Sequence, residues 1–386
     1  MKKRIFIVGS SRFPRGSAGA NYDQYLALAL IEQGWNAIVL GCGGNSEEHN
    51  YRGKYLYRGI EYYNRPFYKA NDYGFGFSYY LEMISKYKIT KSDYFIIRDI
   101  ASLPLMFFLT KFGTEHMCYV QYENMKKIQF RHWLINPRCW NHILKTNLKY
   151  WFIPKAFPIS ESCEKIEKKY GCKTLRLPIM ADPYEYEYKE KTAPPKIIKF
   201  IYPGAKLTSF EDNLEGVLIA FDQLATQYDD RIELHITGAS KEKISHLYKE
   251  KLSLNNVDKV LVIHDWIEYD ELTELYQSMD YLVLLRHRNS ITEANFPSKI
   301  PETLSYGIVP ICTDVGDYTK NYLTDGLDSF ILQGSDSIEL VSLIQKILHI
   351  TEQQYIEMHR AARQTAIDKF YYSKWSKQID DFIEHN

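Results

Sequence analysis

The chain has 386 residues, enough for two domains that each bury a core. Its 48 basic and 48 acidic side chains cancel, which argues against a general nucleic-acid binder, because such proteins carry a basic excess. Hydrophobic residues make up 45%, an ordinary globular share, and no apolar run approaches the ~20 residues a membrane-spanning helix needs.

The N-terminus, Met1-Lys2-Lys3-Arg4, has the charge of a secretion signal. Only Ile5 to Val8 follow before Gly9, short of the roughly 7–15 apolar residues a signal requires, so a cytoplasmic location is expected. Arg4 to Gly9 reads instead as a buried strand. A loop with Gly9, Gly16 and Gly19 follows, then a helix from Asn21 to Gln33 with Asn21 as N-cap and Gly34 as stop. Trp35 to Gly41 is the next strand, which completes a βαβ unit. Further strands are read at Tyr94 to Ile97, ending at Arg98-Asp99, and at Met117 to Tyr122, ending at Glu123. Phe157 to Ser160 is read as the last strand of this half.

Between Asn124 and Ser160 there is no acid. Lys126, Lys127, Arg131, Arg138, Lys145, Lys149 and Lys155 interleave there with Phe130, Trp133, Trp140, Tyr150, Trp151 and Phe152. Such a stretch suits an anionic membrane surface, and equally an anionic acceptor or an ordinary basic helix face. Contact through residues 126–156 with the inner face of the plasma membrane is the expectation.

Lys191 to Lys196 contains Pro194-Pro195 and reads as a linker, since Pro-Pro fits neither a helix interior nor a central strand. The βα pattern then restarts. Strands are expected at Ile197 to Tyr202, Ile232 to Thr237, Val260 to His264 and Tyr281 to Leu285, with helices at Leu214 to Ala225 and Leu272 to Met279. A helix start carrying Glu302 precedes the strand Ile308 to Thr313. Tyr371 to Ile383 is a helix with Trp375, Ile379 and Phe382 on one face. The six cysteines form no Cys-x-x-Cys pair and no zinc-spaced cluster with histidine, so they read as buried free thiols.

The chemistry concentrates between Asp280 and Leu332. A strand, a polar loop, a helix start with a carboxylate, and a second strand place Glu302 at the mouth of a sheet, where open α/β sheets bind ligands. Backbone N–H groups there suit a phosphate, and a carboxylate suits the vicinal hydroxyls of a ribose. The unit reads as a nucleotide-diphosphate site.

The run Phe296-Pro297-Ser298-Lys299, then Glu302, Ser305, Gly307, the strand to Thr313, and Gly316 resembles the donor signature of retaining GT-B glycosyltransferases, especially family 4. The resemblance implies an α/β fold of two Rossmann-like domains facing across a cleft. Residues 1–190 would form the acceptor domain and 197–370 the donor domain, with a helix at 371–386 returning to the first. It implies that Glu302 holds the ribose and that Trp266 and Ile267 frame the nucleobase. Trp266 also reads as a cap on the domain core. Gly204 and Lys206 would lie at the diphosphate, with Lys299, Arg286 or Arg288 supplying further charge. The family's second lysine position falls near Asp212. Its upstream glutamate falls on Ala294, which leaves Glu293, one residue earlier, to meet the sugar. Catalytic weight is thus expected on Glu293, Lys206 and Glu302. Ala18 and Gly19 match the family's glycine pair in the first domain, where the loop Arg12-Phe13-Pro14-Arg15 also lies, and Asp99 and Glu123 end strands on the acceptor side. No metal or other cofactor is expected. The expected reaction moves a hexose from a nucleotide-diphosphate sugar to a glycan or lipid-linked glycan with retention, in cell-surface polysaccharide or glycoconjugate assembly. Two alternatives stand beside it: a non-catalytic GT-B protein that binds a sugar nucleotide or a partner transferase, and a sugar-nucleotide epimerase.

Overall fold

The computed structural model describes residues 3–9, 11–14, 17–42, 55–65, 85–98, 114–122, 149–151, 153–185, 187–205 and 211–385. These divide into two compact units. The first comprises Met1–Met180, Ala294–Phe296 and Tyr372–Asn386; the second comprises Ala181–Glu293 and Pro297–Tyr371. Residues 181–190, which the sequence reading assigns to the first domain, therefore belong to the second. Tyr188 packs beneath the Arg363 guanidinium at 4.8 Å and Lys191 pairs with buried Asp280 at 2.8 Å, so the whole segment is stitched to that unit.

The first unit is built on the strands β1 (Arg4–Val8), β2 (Asn36–Cys42), β3 (Tyr55–Tyr57), β4 (Ile60–Arg65), β5 (Tyr94–Ile97), β6 (Met117–Gln121), β7 (Lys155–Pro158) and β8 (Lys173–Thr174). Their order is β3-β4-β2-β1-β5-β6-β7-β8, parallel except for the β3–β4 hairpin. Ile5, Phe6 and Ile7 of β1 are fully buried, as expected for a central parallel strand covered on both faces. That is why β1 reads as an uninterrupted apolar run. Full burial of such side chains contributes roughly 1.5–3 kcal/mol each. The helix α1 (Ala18–Glu32) starts earlier than its sequence suggests. Ser17, not Asn21, is the N-cap, and its side chain accepts from Ala20 N at 3.2 Å. The strand at Phe157 is not the last of this half, because β8 follows the helix α2 (Glu161–Lys169), which Ser160 caps.

The second unit carries β9 (Ile198–Tyr202), β10 (Ile232–Ile236), β11 (Leu261–Ile263), β12 (Tyr281–Leu284), β13 (Val309–Thr313) and β14 (Phe330–Leu332) in the order β11-β10-β9-β12-β13-β14, all parallel. Its helices are α3 (Leu214–Tyr228), α4 (Lys241–His246), α5 (Tyr269–Gln277), α6 (Lys299–Leu304), α7 (Tyr318–Tyr322), α8 (Ser337–Ile347) and α9 (Glu352–Thr365). The final helix, α10 (Tyr372–His385), joins the first unit and packs on α1. Trp35 donates to Asp380 at 2.7 Å, Gln33 to Ser376 at 3.0 Å, and Phe382 lies 5.2 Å from Phe157.

Each sheet has one topological switch point. In the first, the chain winds outward from β1 on one side and resumes at β5 on the other. In the second, the reversal lies between β9 and β12. Ligands of open α/β sheets bind beyond the carboxyl ends of such strands.

Candidate functional site

At the second unit's switch point, β9 ends in Gly204 and β12 runs into Arg286. Gly204 has φ +66°, and its N–H donates to Thr237 Oγ1 at 3.1 Å; Ala205 N donates to Thr237 O at 2.7 Å. Gly238 lies so near that a Cβ there would meet Gly204 Cα at 2.7 Å, which requires glycine. Gly204-Ala205 and Thr237-Gly238 are thus pinned together as one lip above the sheet.

Arg286 is 2% exposed. Its Nε donates to Asp212 Oδ1 at 3.1 Å and Nη2 to Glu211 Oε2 at 3.0 Å. Nη1 is buried without a partner among the described residues. Lys299, at the start of α6, reaches the same carboxylate: its Nζ lies 3.4 Å from Asp212 Oδ2 and 5.4 Å from the centre of the Tyr202 ring. A Cβ on Gly204 would sit 3.7 Å from Lys299 Cε. Arg286, Lys299 and the Gly204 lip therefore converge beyond β9 and β12.

Glu302 lies one turn into α6. It keeps some surface, yet protein encloses it on most sides. Burial pushes its carboxyl up to about 7, offset by Lys299 and reinforced by Glu185. None of the described residues hydrogen-bonds its side chain, so its oxygens are available as acceptors near Lys299.

The sequence-predicted residues divide accordingly. Gly204, Arg286, Lys299 and Glu302 come together. Pro297 is buried and Ser298 half-buried just ahead of α6, where Ser298 makes no side-chain cap. Phe296 is buried and groups with the first unit. Glu293 is drawn into an exposed pair with Arg288 at 2.5 Å, with side chains 38% and 56% exposed, and Ala294 is wholly buried. Such an exposed pair is weak and leaves a sugar-facing role for Glu293 as an expectation. Trp266 is 75% exposed, which overturns the core-cap reading, and Ile267 beside it is half-buried. Lys206, Asp99, Glu123 and Arg15 lie outside the described residues. So does most of the basic stretch 126–156. Of its described lysines, Lys149 is buried against Glu167 at 2.8 Å and Lys155 donates to Ile383 O at 2.7 Å, so neither faces a surface.

At the first unit's switch point the glycine loop is filled from within. The Arg98 guanidinium pairs with buried Asp23 at 2.9 Å and donates to Ser11 Oγ at 2.6 Å. A Cβ at Gly9 would lie 2.7 Å from Arg98 Nη2, and one at Gly19 would lie 2.5 Å from Nη1. Arg98 thus accounts for both glycines, whereas the sequence reading ascribes Gly19 to the approach of a substrate. Asn64 clamps the same loop, accepting from Phe13 N at 3.0 Å and donating to Phe13 O at 2.6 Å. Sequence reasoning passed over Arg98, Asp23 and Asn64. The available signal was an arginine ending a strand beside the glycine-rich turn.

Among the described residues no group of three or more His, Cys, Asp or Glu is placed to hold a metal, and no helix is long and apolar enough to cross a membrane.

Residues 189–366 match the family model for glycosyl transferases group 1. The whole chain superposes on solved structures of the GT-B fold. A sucrose-phosphate synthase from Thermosynechococcus elongatus gives a TM-score of 0.73 at 11% identity, over 98% of each chain. HepE of Anabaena, in complex with UDP and glucose, gives 0.69 at 13%, over 100% of each. WaaG, a glycosyltransferase involved in lipopolysaccharide biosynthesis, gives 0.68 at 13%, over 99% of this chain and 100% of that one. Comparison with curated proteins finds no match.

Proposed function

We propose that this chain, a GT-B protein whose residues 189–366 carry the glycosyl transferases group 1 domain, moves a hexose from a nucleotide-diphosphate sugar to a glycan or lipid-linked acceptor with retention of configuration. The observation that carries the reading is Glu302: an enclosed carboxylate with open acceptor positions near Lys299, which shares Asp212 with Arg286 at a switch point. Two ribose hydroxyls would satisfy it, and the two cations would meet the diphosphate. HepE, solved with UDP and glucose, supports a donor of this class.

In this reading the acceptor attacks the anomeric carbon on the face from which the diphosphate departs. The leaving oxygen takes the acceptor proton, and the sugar–oxygen bond to the diphosphate breaks as the new glycosidic bond forms. No protein nucleophile is required. Arg286 and Lys299, joined by Lys206, stabilise the charge that develops on the leaving group, so no metal is needed. The acceptor side falls to the first unit, around Ala18, Gly19, Asp99 and Glu123. A place in cell-surface polysaccharide assembly, at the inner face of the membrane, would rest on the basic residues 126–145 rather than on Lys149 or Lys155.

One observation favours the non-catalytic alternative: alanine is buried at position 294, and Glu293 is paired elsewhere. Turnover of donor separates the two. The first experiment is binding of UDP, GDP, ADP and dTDP and their sugars, read by thermal shift. One nucleotide family should bind, and Glu302→Ala should weaken it by about 10- to 100-fold, the loss expected for one or two charge-assisted hydrogen bonds. Equal binding by the variant would remove Glu302 from the site.

A further inference from the structure

One carboxylate sits between the two cations assigned to the diphosphate. Asp212 Oδ1 accepts from Arg286 Nε at 3.1 Å, and Oδ2 lies 3.4 Å from Lys299 Nζ. Side-chain pairing is not what places it there. The backbone of residues 211–213 adds an antiparallel segment to the chain leaving β12. Asp212 bridges Arg286, His287 N donates to Glu211 O at 2.9 Å, and Asn213 N donates to Leu285 O at 2.8 Å. Asn213 then caps α3 through Gly216 N at 3.0 Å. The Asp212 charge is thus held at the mouth of β9 and β12 by main-chain bonds that its side chain does not make.

Glu211 already offers Arg286 a carboxylate at 3.0 Å, so burial of that guanidinium does not by itself call for Asp212 as well. The geometry points to a different role. We infer that Asp212 is a built-in anion that competes with the donor's diphosphate for Arg286 and Lys299, holding both cations in place in the empty site and weakening the grip on the departing nucleoside diphosphate. This rests on the donor-site reading above.

A carboxylate a few ångströms from a multiply charged phosphate repels it strongly, because the partly buried setting screens charge poorly. The same carboxylate engages the cations before any ligand arrives. A ligand phosphate must displace it from Lys299, the more exposed of the two, and share Arg286 with it. Both effects lower affinity for the diphosphate without touching the sugar or the base.

The test uses the full chain and, by calorimetry, whichever of UDP, GDP, ADP or dTDP the wild type binds. Asp212→Asn keeps the backbone bridge and an acceptor for Arg286 Nε while removing the charge. It should tighten nucleoside diphosphate binding about tenfold or more, and inorganic pyrophosphate should gain similarly because the effect is on phosphate alone. The corresponding nucleoside should gain nothing. Glu211→Gln, which removes a more exposed charge that pairs with Arg286 and not with Lys299, should gain much less. Unchanged or weaker binding by a folded Asp212→Asn would overturn the inference and leave Asp212 as a structural partner of Arg286. If the wild type binds none of the four, the donor-site reading fails and this inference with it, a result distinct from the first. Should Asp212→Asn not fold, a wild-type complex decides. Lys299 Nζ on a phosphate oxygen and off Asp212 is the expected geometry, and Lys299 still on Asp212 with the diphosphate bound would overturn it.

Discussion

Two buried groups of the second unit titrate in opposite senses, and together they shape its response to pH. Glu302 has its folded pKa raised from 4.5 to about 7, so its contribution to stability is present below pH 4.5 and is lost as pH rises to 7. His359 is fully buried. Its Nδ1–H donates to Gly307 O at 2.7 Å, which fixes the neutral tautomer, and burial pushes its pKa down from 6.5 to about 4. The unfolded chain therefore binds a proton that the folded chain refuses between pH 6.5 and 4, and stability is lost as pH falls through that window. Each effect reaches about 3 kcal/mol, with Glu302 the smaller because it is partly exposed and screened. They offset one another in the wild type. Urea titrations from pH 4.5 to 7.5 should separate them. Relative to wild type, Glu302→Gln should grow less stable as pH falls, and His359→Gln more stable. Parallel curves for all three proteins would contradict both assignments.

At the scale of elements, the first unit's switch point is held by an internal ion pair rather than by an open glycine cradle. Arg98 leaves β5, crosses the Gly9–Gly19 loop, and meets Asp23 on α1. Removing one member leaves the other charge buried. Arg98→Ala should therefore cost about 3–5 kcal/mol in chemical denaturation. Replacing the pair by apolar residues, Arg98→Met with Asp23→Leu, should recover much of that loss, since no charge is then stranded. A double variant as unstable as the single one would mean that the Ser11 contact, not the ion pair, supports the loop. In the second unit the corresponding place is built differently. Its glycines, 204 and 238, press backbone against backbone, and its cations Arg286 and Lys299 pair with Asp212.

At the scale of the whole molecule, each unit carries its own parallel sheet and core, so each is expected to unfold as its own cooperative step. The last helix belongs to the first unit, where α10 packs on α1 through Tyr25–Tyr372, on Trp35 through Asp380, and on β7 through Phe157–Phe382 and Lys155–Ile383. Deleting residues 372–386 uncovers that apolar face. Calorimetry should show one transition lowered by many degrees and a second, sensitive to nucleoside diphosphate, left in place. A shift of both by the same amount would show that the two cores melt as one.

The amino-acid order by itself determined the α/β alternation and most strands of the second unit. Parallel strands buried on both faces must be written as apolar runs, and Ile198–Tyr202 and Tyr281–Leu284 could not be mistaken for loops. It also pointed to Glu302 at a helix start beyond a strand, where the structure has it, one turn into α6. Helix starts were less legible: Ser17 and Asn21 both have capping chemistry, and only the fold selects Ser17. What the tertiary structure alone decided were encounters between residues far apart in sequence. Arg98 meets Asp23, and Asp212 meets both Arg286 and Lys299. A charge carries no sequence mark of which opposite charge it will face, since that depends on strand order, and strand order is settled only when the sheets assemble.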